Sequence, residues 1–171
     1  GSGILELRKA ISADLKGRLG LDYAPEEVAV TIGGKFAIAA AVLASCDPGD
    51  EVIVPLPCFP SYFDQVRLAQ AVPVPVAPEE GNGFRLTRAQ LEAACTPRTK
   101  LLLLNTPHNP TGVVYSRADL APLAAFIRET GIYAVADEVY ERLLFGGLKH
   151  ASLAAFSEIR DQVFLVNSFS K

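Results

Sequence analysis

Apolar residues along this chain follow two rhythms, short unbroken runs and longer stretches with a period of three to four. Ile4, Leu7, Ile11, Leu15 and Leu19 recur at helical spacing, which predicts a helix over 4–19 stopped by Gly20. An alanine-rich stretch from Lys35 to Cys46 predicts a second helix, ended by the turn-forming Asp47-Pro48-Gly49-Asp50. Pro60 to Gln70 reads as a third, and Thr87 and Gln90 stand at capping-box spacing before Leu91-Glu92-Ala93-Ala94. Ser116 caps a further helix that runs to Thr130, with Gly131 just past its end. Between these lie short apolar runs: Val28 to Ile32, Val52 to Val54, Val72 to Val76, Lys100 to Asn105, Tyr133 to Asp137 and Val163 to Phe169. Strands apolar on both faces and alternating with helices predict an α/β fold of three layers around a mostly parallel sheet. Pro73 and Pro75 cannot donate to a ladder, which assigns 72–76 to an edge. The sequence holds no internal repeat, low-complexity tract or interdomain linker.

Composition narrows the function classes. With 171 residues, half of them apolar and a fifth charged, the chain is large enough for one domain with a sizeable core. A formal charge of −3 gives no general attraction to nucleic acid or to acidic membranes, so neither is expected as a partner. No apolar run approaches the length of a membrane span. Cys46, Cys58 and Cys95 are three, without C-x-x-C spacing, and read as reduced thiols of a cytoplasmic protein. His108 and His150 are the two histidines, and no metal site is expected from them.

In parallel sheets ligands bind outside the carboxyl ends of the strands, and the conspicuous polar residues fall there. Gly33-Gly34-Lys35 lies at a strand-to-helix junction, where free N–H groups and the helix dipole suit an anion; a plain turn is the competing reading. Neither a P-loop nor a G-x-G-x-x-G motif is present. Tyr133 to Asp137 resembles a Walker B strand, but without a Walker A partner. A carboxylate ending a buried strand is costly unless it meets a cation; for Asp137 that cation is a protonated ring nitrogen or an arginine elsewhere. The segment Asn105-Thr106-Pro107-His108-Asn109-Pro110-Thr111-Gly112 predicts a rigid loop that can aim the Asn109 amide at a bound oxygen, with His108 serving loop packing. Phe59 either stacks on a flat ligand or fills the core, and Tyr140, three residues after Asp137, either overhangs the same site or is structural. Val163 to Phe169 runs straight into Ser170-Lys171. An amine desolvated there can lose its proton and attack a carbonyl.

Taken together, these residues resemble the fold-type I pyridoxal phosphate enzymes, class I/II aminotransferases, and in particular the subgroup containing bacterial aspartate aminotransferases. The similarity begins at Gly3-Ile4-Leu5-Glu6-Leu7-Arg8. It continues through Thr31-Ile32-Gly33-Gly34-Lys35, Pro48-Gly49-Asp50-Glu51-Val52-Ile53-Val54-Pro55, Thr96-Pro97-Arg98-Thr99-Lys100, Asn105 to Gly112 and Asp137-Glu138-Val139-Tyr140. It ends in Ser168-Phe169-Ser170-Lys171. The resemblance implies a pyridoxal 5′-phosphate enzyme in which Lys171 forms the Schiff base and shuttles a proton, while Asp137 keeps the pyridine nitrogen protonated. It further implies that Tyr140 and Asn109 bond the cofactor's phenolic oxygen and that Phe59 stacks on the ring. Gly34 and Lys35 main-chain N–H groups, next to Gly33, would hold the phosphate with Ser168, the Lys35 side chain pointing away.

The implied reaction moves an amino group from an amino acid to a 2-oxo acid in a cytoplasmic homodimer. Residues 1–171 are then expected to be part of the large domain, with the N-terminal arm and the small domain lying outside them. A seventh, antiparallel strand beyond Lys171 would separate Val28 to Ile32 from Val163 to Phe169. Lyases and synthases of the same fold, and an aminotransferase-like sensor in a winged-helix transcription regulator, are the alternatives the same residues leave open.

Overall fold

Four consecutive leucines, Leu101 to Leu104, are buried to within 2 % of full exclusion from water, because apolar layers cover both faces of their strand. They belong to β3 (Thr99–Asn105), the central strand of a five-stranded sheet in a computed structural model that describes residues 1–171. The other strands are β1 (Glu51–Pro55), β2 (Val72–Val76), β4 (Tyr133–Asp137) and β5 (Val163–Val166). Their order is β2-β1-β3-β4-β5, and every neighbouring pair is parallel. The proline-bearing β2 occupies an edge, as its missing donors require.

Alternation along the strands sorts side chains into two cores. Val52, Val54, Leu101, Leu103, Val135 and Val166 face a layer built from α2 (Gly34–Ser45) and α3 (Ser61–Leu68), where Ile38, Val42, Tyr62 and Val66 pack against them. Ile53, Leu102, Leu104, Ala134 and Ala136 face the opposite layer. That layer holds Leu15 of α1 (Leu5–Leu19), Leu91 of α4 (Arg88–Ala94) and Leu120, Leu123 and Ile127 of α5 (Arg117–Thr130). The three-layer α/β expectation is therefore met. The capping signals are met too: Thr87 and Ser116 cap α4 and α5 with reciprocal Gln90 and Asp119. Gly20 and Gly131 adopt the left-handed conformation just past α1 and α5. No helix is long and apolar enough to cross a membrane.

Two strand expectations need correction. Val28 to Ile32 forms no strand. Its apolar run is extended, but no sheet neighbour supplies a ladder; the Val30 N–H donates to the Ser2 carbonyl, and Ile32 is 90 % exposed. An apolar pattern specifies a strand only where a partner edge takes up its backbone groups. The last strand stops at Val166 rather than Phe169: residues 167–168 are irregular and 169–170 turn. There the Ser168 N–H donates to the Asn167 side chain and the Ser170 N–H to the Ser168 hydroxyl, so local bonds replace the ladder.

At the opposite end of the sheet, Glu51 opens β1 with a buried carboxylate. The Thr96 hydroxyl and the Arg98 guanidinium donate to it, tying β1 to the turn before β3. The Thr96 bond above all, then Arg98, holds the Glu51 carboxyl below its ordinary value. A depressed folded-state pKa contributes stability above the ordinary glutamate range, and that contribution is lost as the pH falls through the folded value. In the full-length protein, Glu51→Gln is therefore expected to lower the melting temperature at neutral pH. The gap to wild type should persist from neutral pH down to the ordinary glutamate range and close only as the pH falls below about 4; a gap that stays constant well below that pH would contradict this origin.

Candidate active site at the carboxyl ends of the strands

The register of the sheet brings chemistry to one edge. Asn105 closes β3 directly opposite Asp137, which closes β4, and Asp137 in turn pairs with Val166 at the end of β5. The helix α2 starts beside the same edge. Together these ends enclose a hollow of about 290 Å³, lined among others by Gly34, Lys35, Phe59, Tyr62, Asn105, Asn109, Asp137, Tyr140, Ser168 and Lys171. Of the candidates drawn from the sequence, all but Gly33 line it. Gly33 instead precedes α2 with φ 103°, a backbone state that favours glycine, and its carbonyl accepts from Phe36 and Ala37. A wider, open groove of about 720 Å³ lies around Pro57, Phe63 and Phe84, but it lacks a comparable convergence of polar groups.

Asp137 is 6 % exposed and meets no cation. Its Oδ2 accepts from the Tyr62 hydroxyl at 2.5 Å and its Oδ1 from the Val139 N–H at 3.3 Å. Burial pushes the Asp137 carboxyl above its ordinary value, against the pull of these two donors. Burial and the neighbouring Asp137 charge raise the Tyr62 phenol as well, which keeps it a proton donor. Tyr62 was not identified from the sequence: residues 60–70 read as a helix, and no local pattern marks a partner 75 positions away.

Asn105 is a second residue whose function the sequence reading left unassigned. Its amide donates to the Asp137 carbonyl at 2.8 Å, while its Oδ1 accepts the Asn109 N–H at 2.8 Å. It thereby fixes the 106–112 loop to the end of β4 and leaves the Asn109 side chain at the hollow. His108 bonds Thr111 at 2.7 Å within that loop, and burial lowers its pKa, in keeping with a packing role.

The start of α2 offers the leading N–H groups of a twelve-residue helix, which have no intrahelical acceptor. A Cβ on Gly34 would stand 3.2 Å from Val139 Cγ1 and 3.9 Å from Ser168 Cβ, so glycine permits the helix start to approach the strand ends closely. Ser168 lies beside it, its hydroxyl 2.8 Å from that of Ser170. Phe59 meets Tyr62 edge-on at 5.9 Å.

One lysine expectation is corrected. The Lys35 side chain does not turn away: its Nζ sits 4.9 Å from the Phe59 ring centroid, where the aromatic face attracts the ammonium. Lys171 lies five residues past the end of β5, and its Nζ is 5.7 Å from the Tyr140 ring centroid.

The hollow thus combines an anionic, water-poor end at Asp137 with an anion-binding helix start and a flanking aromatic ring. A flat, protonated heterocycle bearing an anionic tail fits that donor set. These features define an α/β protein with a ligand site of the strand-end type, and comparison with known proteins specifies the family. Residues 1–171 match Aminotransferase class I and II, and the chain belongs to that family.

It is 42 % identical over 170 residues to an aspartate aminotransferase of Geobacillus stearothermophilus, covering 99 % of this chain and 43 % of that protein. It is also 42 % identical over 174 residues to a probable N-succinyldiaminopimelate aminotransferase of Mycobacterium tuberculosis, covering 44 % of it. The solved aspartate aminotransferase of Rhizobium meliloti superimposes with a TM-score of 0.97 at 39 % identity, over 99 % of this chain and 43 % of that one. The chain spans less than half the length of these relatives.

The buried, cation-free Asp137 generates a prediction for cofactor-free protein. A carboxyl whose folded pKa is raised contributes stability below the ordinary aspartate range, and that contribution disappears as the pH rises through the folded value. Asp137→Asn in the full-length protein should therefore raise the melting temperature at pH 8 and change it less at pH 4. Equal shifts at both pH values would rule out a desolvated charge as the cause.

Proposed function

We propose that this chain forms the cofactor-holding part of a pyridoxal 5′-phosphate-dependent aminotransferase, which moves an amino group from an amino acid to a 2-oxo acid. The observation that carries this reading is the Asp137 carboxylate, buried at the hollow with a phenol and an N–H as partners and no cation. A protonated ring nitrogen supplies the missing charge. When bound, the cofactor provides an electron sink for charge developing at the substrate Cα.

The chain's own residues then divide the work. Asp137 keeps the proton on the ring nitrogen, and Tyr62 holds Asp137 in place. Phe59 covers a ring face, where an aromatic contact contributes about 0.5–1.5 kcal/mol beyond burial. The Asn109 amide and the Tyr140 phenol donate to the cofactor's phenolic oxygen. N–H groups of Gly34 and Lys35, behind the Gly33 turn, and the Ser168 hydroxyl receive the phosphate. The Lys171 amine would hold the cofactor covalently and would carry the proton at the substrate Cα.

Residues 1–171 are in this reading part of the large domain, with an N-terminal arm, further large-domain sequence and a small domain contributed by chain outside them. The parent acts as a homodimer in the cytoplasm. Three free cysteines suit a reducing compartment. The relatives described above carry aminotransferase names, which favours amino transfer over a lyase reaction or a regulator's sensor domain.

Borohydride reduction of the full-length protein after incubation with pyridoxal phosphate is expected to leave the cofactor's mass on Lys171; recovery on any other lysine would falsify the assignment. Asp137→Ala should still be labelled at Lys171 yet lose turnover by about 10²–10³-fold, the scale of a removed electrostatic partner in a transition state. Undiminished transfer from an amino acid to a 2-oxo acid in that variant would remove Asp137 from the mechanism.

A further inference from the structure

Directly after Asp137 the parity of β4 turns the next side chain to the other face of the sheet. Glu138 lies there with no exposure to solvent, among the residues that close the layer of α5. A carboxylate this deep is costly unless its oxygens are fully engaged. Glu138 Oε1 accepts from the Ser152 hydroxyl at 2.9 Å and from the Leu153 N–H at 3.0 Å, and Oε2 bonds His150 Nε2 at 2.6 Å. Burial pushes its pKa up, while His150, Leu153 and Ser152 pull the other way. Glu141 and His150 bring further ligand-type atoms within 4.8 Å. The cluster is nevertheless arranged as a set of ion pairs and hydrogen bonds, since Glu141 is paired with Arg18 at 2.8 Å.

The partners of Glu138 have a common property. Residues 138–152 contain neither helix nor strand, yet they carry Val139 and Tyr140 into the hollow. Main-chain bonds from Glu138 N to Val166 O, from Glu141 N to Glu138 O and from Leu143 N to Tyr140 O form a tight turn under Tyr140. Beside the Val166 bond to β5 and the Glu141–Arg18 pair to α1, the Glu138 carboxylate fastens that turn from behind the sheet through its grip on residues 150–153.

We propose that Glu138 is a positioning residue for the active site: its carboxylate, clamped by His150, Ser152 and the Leu153 N–H, holds the Val139–Tyr140 turn so that the Tyr140 phenol meets the cofactor. The proposal rests on the role given to Tyr140 above. It assigns work to a group that touches neither substrate nor cofactor, and it separates two adjacent acids by face, Asp137 acting in the hollow and Glu138 behind it.

A double-mutant cycle in the full-length protein tests it, with Glu138→Gln, Tyr140→Phe and the pair. Three readouts are needed: the pyridoxal phosphate dissociation constant of cofactor-free protein by absorbance titration, kcat and KM, and the melting temperature. Glutamine keeps the volume and one acceptor. Glu138→Gln is expected to weaken cofactor binding and to lower kcat by about tenfold each with little change in KM, the scale of one weakened hydrogen bond. The pair should be no worse than Tyr140→Phe alone.

Multiplying losses in the pair would overturn the proposal, as would a Glu138→Gln protein with a lower melting temperature but wild-type cofactor affinity and kcat. A Tyr140→Phe protein indistinguishable from wild type would instead remove the Tyr140 role, and the proposal with it. If Glu138→Gln does not fold, Ser152→Ala, which deletes one of the three donors, takes its place in the same cycle with the same outcomes.

Discussion

A carboxylate shut away from water without a cation is an unpaid electrostatic cost, and the site is organised around the one at Asp137. Its position follows from the sheet: β4 ends there, with β3 and β5 on either side to exclude solvent. One phenol and one main-chain N–H soften the cost without neutralising it. The side chain therefore remains selective for a positive charge delivered by a ligand, which a fully neutralised carboxylate would not be. The fold maintains the cost through apolar packing elsewhere, and the binding of a cationic ring recovers it.

Around this acid, contacts are shared between distant parts of the chain. Tyr62 arrives from α3, Asn105 from β3, and Glu138 from the turn after β4 reaches back to residues 150–153. Each ties a loop to the rigid strand end, so that Asn109, Phe59 and Tyr140 are supported although they lie outside regular structure. Precise placement in such a site depends on the residues behind the ones that touch the ligand.

Much of this arrangement was legible in the amino-acid pattern. Runs such as Leu101 to Leu104 and the caps at Thr87 and Ser116 depend on local composition and period, and the structure reproduces them. Asp137 at the end of β4 stands out because a charge closing a buried apolar strand is rare. What stayed hidden depends on partners far along the chain. Tyr62 looks like any helix residue until Asp137 lies beside it. Glu138 looks like a companion of Asp137 until the pleat turns it to the opposite face. Val28 to Ile32 has a strand's composition, and within residues 1–171 no neighbouring strand takes up its backbone groups. That the Lys35 ammonium points away is an expectation of the family resemblance alone; the Phe59 face that attracts it comes from a different loop.

The one-to-one register of β3 and β4 has a consequence for how this protein can change. Because neighbouring residues on β4 face opposite layers, the strand behaves like a reading frame with a period of two. Losing one residue between Tyr133 and Ala136 would shift the frame, bringing Glu138 to the hollow and burying Asp137 against the layer of α5. An acid would still stand at the strand end, one methylene longer than aspartate. Changes of length are therefore confined to loops such as 141–149, where several successive residues are exposed. The strands admit substitution but not indels, and the chemistry of the site is inherited as a phase as much as a set of side chains.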